Sequence, residues 1–145
     1  MKQLEIKGRV MVEGEAEGEA VVSGRAFTFA HGVDPTSGIV TDVRSDIRSV
    51  NVRGKILVYP FGKGSTTGAS WFLETVRNGN EPKAVLTQAS EPIIVVGSVL
   101  AKVLYGRIIP VMSEFSEDVT SSIKNHDRVA VDTKRGLVLV SKHKP

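Results

Sequence analysis

The 145-residue chain contains no cysteine, and that absence narrows its chemistry more than any residue present. Without thiolates it cannot ligate an iron–sulfur cluster or a cysteine-rich zinc site. Histidine is scarce too: His31, His126 and His143 are scattered, without the spacing of a ligand set. A metal centre made by this chain alone is therefore not expected. The lack of cysteine also fits a cytoplasmic protein. No apolar run approaches the roughly 20 residues needed to cross a bilayer. The opening MKQLEIKGRV alternates like a strand and lacks the apolar stretch of a secretion signal. We expect a cytoplasmic protein with no membrane partner.

A strong charge of one sign is also missing. Nineteen Lys and Arg residues stand against sixteen Asp and Glu, a net charge of +3, and several basic groups (Lys142, His143, Lys144) cluster at the end. No basic helix or RNA-binding aromatic signature accompanies them, so no nucleic-acid partner is expected. What remains is ordinary folded composition: 41% hydrophobic and 24% charged residues, with mean hydropathy near zero. A chain of this length forms one domain, here residues 1–145. It buries roughly two-thirds of its unfolded surface and needs no covalent staples.

Along the chain the first forty residues read as β. Leu4, Ile6 and Val10 begin a strand, and Gly14 and Gly18 punctuate EGEAEGEA, which reads as a hairpin with charged residues facing solvent. Phe27-Thr28-Phe29 reads as a further strand. Gly54 to Pro60 predicts a buried strand ended by proline. A helix follows from about Ala69 to Asn78, where Ala69, Phe72, Leu73 and Val76 share one face and Gly79 stops it. Lys83 to Leu86 is the next strand. Within the apolar run Ile93 to Leu104 the latter half reads as helix, ending at Gly106. Ile108 to Met112 forms a strand with a proline near its edge. Arg128–Val131 and Leu137–Val140 form a hairpin around Asp132 to Gly136. The fold class is thus mixed α/β: β-rich ends around a central strand–helix–strand–helix–strand unit.

The stretch that carries chemistry is Tyr59-Pro60-Phe61-Gly62-Lys63-Gly64-Ser65-Thr66-Thr67-Gly68, where a buried strand hands over to a helix. Unpaired amides and the helix dipole favour negative charge there. Gly62 and Gly64 allow a bound group to approach the backbone. The loop is not a Walker A motif, because Gly64 follows Lys63, and it is not a GxGxxG fingerprint. Nor is it a GxSxG elbow, and Ser65 has no charge-relay partner nearby in sequence. Two readings stand on loop chemistry alone. Ser65, Thr66 or Thr67 caps the helix, worth about 1 kcal/mol, or Ser65 acts as a base whose alkoxide is stabilised by amides and by Lys63.

The segments Gly32-Val33-Asp34-Pro35-Thr36-Ser37-Gly38, Gly54 to Pro60, and Gly62 to Gly68, with Asp127 to Asp132 and Gly136 at the end, resemble the small subunit of the aconitase X family over essentially the whole chain. Family members tend to carry a histidine near Asp46 that this chain lacks. The resemblance implies a swivelling β/β/α domain that docks onto a large aconitase X-type subunit to form a heterodimer. It implies that the large subunit's own cysteines hold an iron–sulfur cluster, which binds the substrate hydroxyl, while this chain binds no cofactor. It implies that Ser65 is the proton acceptor and that Lys63, Gly64, Thr66 and Thr67 support substrate binding. The implied reaction, in archaeal isoprenoid synthesis, dehydrates (R)-5-phosphomevalonate to trans-anhydromevalonate 5-phosphate. The chain is expected to be inactive without its partner. A same-family dehydratase of another hydroxy acid, such as a hydroxyproline, is the alternative. A mobile phosphohistidine-type carrier domain needs a histidine in the loop, and none lies between Phe61 and Gly68.

Overall fold

The computed structural model describes residues 3–144; Met1 and Lys2, part of the expected first strand, lie outside the described residues. Eight strands and three helices follow one another as β1 (Gln3–Lys7), β2 (Arg9–Val12), β3 (Glu15–Val22), β4 (Ile56–Tyr59), α1 (Thr67–Arg77), β5 (Ala84–Thr87), α2 (Pro92–Tyr105), β6 (Val111–Ser113), α3 (Val119–Ser122), β7 (Arg128–Asp132) and β8 (Leu137–Ser141). The strand order is β1-β8-β7-β3-β4-β5-β6-β2. β3, β4, β5 and β6 run parallel to one another, and the remaining pairs are antiparallel.

The two ends of that order are adjacent in sequence. Only Gly8 separates β1 from β2, so the sheet must curl until its ends meet. Gly8 sits at the corner for a steric reason: a Cβ there would lie 2.5 Å from Cδ1 of Phe115. The curled sheet encloses a core that includes Ile6, Ile56, Val58, Leu86, Met112, Val129 and Val138. A second core, with Leu57, Tyr59, Phe72, Val85 and Ile94, joins the sheet to α1 and α2. Strand alternation makes both possible, because Ile56 and Val58 face one way and Leu57 and Tyr59 the other. β4 and β5 are buried at every residue, as parallel strands covered on both faces are. Each fully buried aliphatic side chain there contributes about 1.5–3 kcal/mol. The result is a β/β/α arrangement around a central β4-α1-β5-α2-β6 unit, as the sequence led us to expect.

Three local expectations are corrected. EGEAEGEA is not a hairpin: Glu13 and Gly14 connect β2 to β3, and the rest, from Glu15, lies in β3, a single eight-residue strand. Its glutamates pair across the ladder: Glu17 with Arg128 at 3.1 Å and Glu19 with His126 at 2.9 Å. Gly18 does not break it; the carbonyl oxygen of Gly54 lies 3.2 Å from where a Cβ would stand, so the glycine permits a close approach. Phe27-Thr28-Phe29 is not a strand. It makes one bridge, Phe27 to Gly62, and then turns, with the Gly32 amide donating to the Phe29 carbonyl at 3.2 Å. Finally, α2 occupies the whole run from Pro92, not its latter half. The Glu91 side chain accepts from the amides of Ile93 and Ile94 and Pro92 presets the first helical φ, so capping overrides the strand preference of Ile93, Ile94, Val95 and Val96. Among the remaining boundaries, the strand expected over Ile108 to Met112 starts only at Val111, because Pro110 has no amide to give to a ladder; the others agree closely. α1 ends at Arg77 with Gly79 at φ 74° beyond it, and Gly136 takes φ 65° in the β7–β8 hairpin.

Candidate active site

β4 ends at Tyr59, and the next residues extend its pairing without forming a regular strand. The Phe27 amide donates to the Phe61 carbonyl at 3.1 Å, and the Lys63 amide donates to the Phe27 carbonyl at 3.0 Å. This zips the root of the loop onto Phe27. Below it lies a buried polar pair: Tyr59 Oη donates to Glu91 Oε2 at 3.0 Å, while Glu91 Oε1 accepts from Ile93 and Ile94. Burial and the adjacent carboxylate push the Tyr59 phenol well above its ordinary range, so it stays protonated and donating. A Cβ at Gly62 would lie 2.4 Å from Cγ of Glu91. One carboxylate therefore joins three parts: the end of β4, the start of α2 and the root of the loop.

From that base the loop rises to solvent. Gly64 adopts φ 95°, a region that a side chain disfavours, and a Cβ there would approach Oγ1 of Thr28 to 3.3 Å. Ser65, Thr66 and Thr67 follow, all exposed. Ser65 Oγ donates to Thr67 Oγ1 at 3.1 Å and lies 3.4 Å from the Thr67 amide. Thr66 holds the position before the helix in α-helical geometry and makes no side-chain cap. The first turn is closed by backbone bonds, Gly68 to Ser65 and Ala69 to Thr66. Among the described residues, the amides of Gly64, Ser65 and Thr66 donate to no protein group. The arrangement thus departs from ordinary capping: Ser65 Oγ is held near unpaired amides at the positive end of α1.

The structure brings Lys63, Gly64, Ser65, Thr66 and Thr67 together on this one loop and gives Lys63 a definite partner. Its Nζ lies 2.8 Å from Oδ2 of Asp42, which fastens the loop to the segment after Val40. The Lys63 hydrogen bond, followed by that from the Arg44 amide, holds the Asp42 carboxyl below its ordinary value. The sign follows directly: the pair's contribution is complete above the ordinary carboxylate pKa and is lost as pH falls through the depressed folded one. By NMR, the Asp42 carboxyl should titrate with a midpoint below 3.8, and Lys63→Met should move it back up. An unchanged midpoint in that variant would show that the pair is not the cause.

The Gly32–Gly38 segment packs alongside. The ring of His31 lies 4.6 Å from that of Trp71 on α1, and Asn80 Nδ2 donates to the Pro35 carbonyl at 3.0 Å. Asp46, in the region where the resemblance expects a histidine, instead accepts from Ser23 Oγ at 2.6 Å and from the Gly24 amide at 2.8 Å. Sequence reasoning missed Thr28, Asp42 and Glu91 as parts of the site, and gave Tyr59 no role beyond opening the loop. Only Glu91 carried a local signal, an acidic residue followed by proline before an apolar run. Among the described residues no group of three or more histidine, aspartate or glutamate side chains is placed to hold a metal.

Known proteins resemble this chain over nearly its whole length. Residues 5–140 match the family described as the aconitase X swivel domain. The phosphomevalonate dehydratase small subunit of Thermococcus onnurineus is 40% identical over 137 residues, spanning 94% of this chain and 98% of that protein. Its namesake from Methanococcoides burtonii is 37% identical, over 95% of this chain and 96% of that one. A crystal structure of Thermococcus kodakaraensis aconitase X in its holo-form superposes with a TM-score of 0.86 at 38% identity, over 96% of this chain and 99% of that one. Fold and sequence agree along nearly the whole chain: it belongs to the aconitase X swivel-domain family.

Proposed function

We propose that this chain is the small subunit of a hydro-lyase that dehydrates (R)-5-phosphomevalonate to trans-anhydromevalonate 5-phosphate, and that Ser65 is its proton acceptor. The observation that carries the reading is the placement of Ser65 Oγ, exposed and hydrogen-bonded to Thr67 at the amino end of α1. The names of the relatives support the subunit role and the substrate. The rest of the active site, with an iron–sulfur cluster, is assigned to a large partner subunit, because this chain has no cysteine.

The step assigned to this chain is one proton transfer. The Ser65 oxygen, as alkoxide, takes a proton from the carbon beside the substrate carboxylate. The electron pair of the broken C–H bond becomes the new C=C bond, and the hydroxyl leaves from the neighbouring carbon on the partner's side. An alkoxide needs donors that are already in place. The Thr67 amide is aimed at Ser65 Oγ, and the Thr67 hydroxyl, an acceptor in the neutral loop, reverses by a simple rotation and donates to the anion. The neighbouring unpaired amides add positive potential. Lys63, neutralised by Asp42, serves to hold the loop, and Gly64 and Thr66 shape the approach to it.

The test is an anaerobic assay of the complex with its large subunit, following loss of water from (R)-5-phosphomevalonate by mass spectrometry. In heavy water, the carbon beside the carboxylate should take up deuterium in the reverse reaction. Turnover of a hydroxyproline with none of phosphomevalonate would overturn the substrate assignment.

A further inference from the structure

The two helices of the outer layer differ in what they show to solvent. α1 places polar groups outward, including Ser70, Glu74 and Arg77, and buries Phe72 and Val76. α2 buries Ile94, Gly97, Ser98 and Ala101, a sufficient inward stripe at helical spacing, yet its outward face is apolar as well. Val96 is 50% exposed, Val103 72% and Leu104 59%, with Val99 and Leu100 between them. These residues fall at i, i+3, i+4, i+7 and i+8, one continuous stripe rising about 12 Å along the helix. Folding of this chain does not use that face. A hydrophobic stripe of this kind on a small soluble protein marks an interaction surface.

We infer that this face of α2 is a seat of the large subunit; the partner's identity rests on the function proposed above. Continuity with the reactive loop selects that occupant. The stripe begins at Val96, and Val96 lines a shallow apolar cleft of about 200 Å³ together with Thr66, Ala69, Pro92 and Ile93. Thr66 adjoins Ser65, so a partner that covers the loop meets the head of the stripe at the same contact. Phe61, 52% exposed, adds an apolar group at the loop's root. Charge argues against a second copy of this chain. The one charged residue of α2 is Lys102, exposed and without an ion-pair partner among the described residues. Two α2 faces packed together would bring like charges alongside one apolar seam, in chains that each carry a net +3. The fitting partner has an apolar centre and an acidic rim near Lys102.

The experiment uses the co-expressed complex. A photo-crosslinking benzoylphenylalanine at position 103 should join this chain to the large subunit on irradiation. A crosslink to a second copy of this chain, or none to any protein, overturns the inference. Val99→Glu with Val103→Glu should weaken assembly by at least about 30-fold, because two charges would enter a dry contact; assembly equal to wild type overturns it too. Both substitutions fall on exposed positions, and the crosslink requires no folding comparison. Assembly and catalysis separate the two proposals. Full turnover by a Ser65→Ala complex that still crosslinks through position 103 would remove the serine base and leave the docking face standing.

Discussion

Ser65→Ala is expected to lower turnover of the reconstituted complex by about 100- to 10,000-fold, the range over which a positioned general base contributes. Assembly should be unchanged, because Ser65 is exposed and makes only loop-internal side-chain bonds, to the Thr67 hydroxyl and amide. Those bonds are worth little to the fold: an exposed serine that does not fill the capping position costs a few tenths of a kcal/mol when removed. Large loss of rate with intact assembly is therefore the signature of a chemical role. Deuterium uptake at the carbon beside the carboxylate should fall in parallel, since the proposed mechanism gives that proton to the same oxygen. Near-normal turnover by this variant would end the assignment.

Glu91→Ala should produce the largest loss of stability among substitutions near the site. It removes the cap of α2, worth about 1 kcal/mol, and leaves the Tyr59 hydroxyl buried without an acceptor, at about 1–3 kcal/mol. Gly62 would lose the side chain against which it packs. A combined loss of roughly 2–4 kcal/mol lowers the midpoint of thermal unfolding by about 5–15 °C at this chain length. Glu91→Gln keeps an oxygen for the Ile93 and Ile94 amides and should recover most of that loss. Tyr59→Phe should cost less than Glu91→Ala, because it leaves no orphaned hydroxyl. If Glu91→Ala melts with the wild type, the buried pair does not hold the loop. Activity of the Glu91→Ala complex should also fall, through a loosened loop and not through lost chemistry, so Glu91→Gln should rescue rate and stability together.

Much of this protein was legible from residue order because the signals are local. Gly54 to Pro60 had to be a buried strand, since its apolar run is too short for a helix and ends in proline. Ala69 to Asn78 had to be a helix, since its apolar positions repeat at helical spacing and Gly79 closes it. The handover between them placed Ser65 at a helix start before any coordinate was known. The missing cysteines likewise fixed what this chain cannot ligate, whatever its fold.

Tertiary structure decided what depends on neighbours distant in sequence. EGEAEGEA looked like a hairpin because glycine usually marks a turn, but Gly18 serves a close approach by Gly54, and the segment from Glu15 pairs with β7 along one ladder. Only the latter half of Ile93 to Leu104 reads as helix in the sequence, whereas Glu91 and Pro92 start the helix early. Asp42 meets Lys63 across twenty-one positions that no local pattern links. Sequence by itself determined the strand, the helix and the serine between them, because propensity and periodicity act over a few residues. Only the fold decided which groups stand around that serine, because burial and ion pairing are settled by segments that meet after the chain has folded.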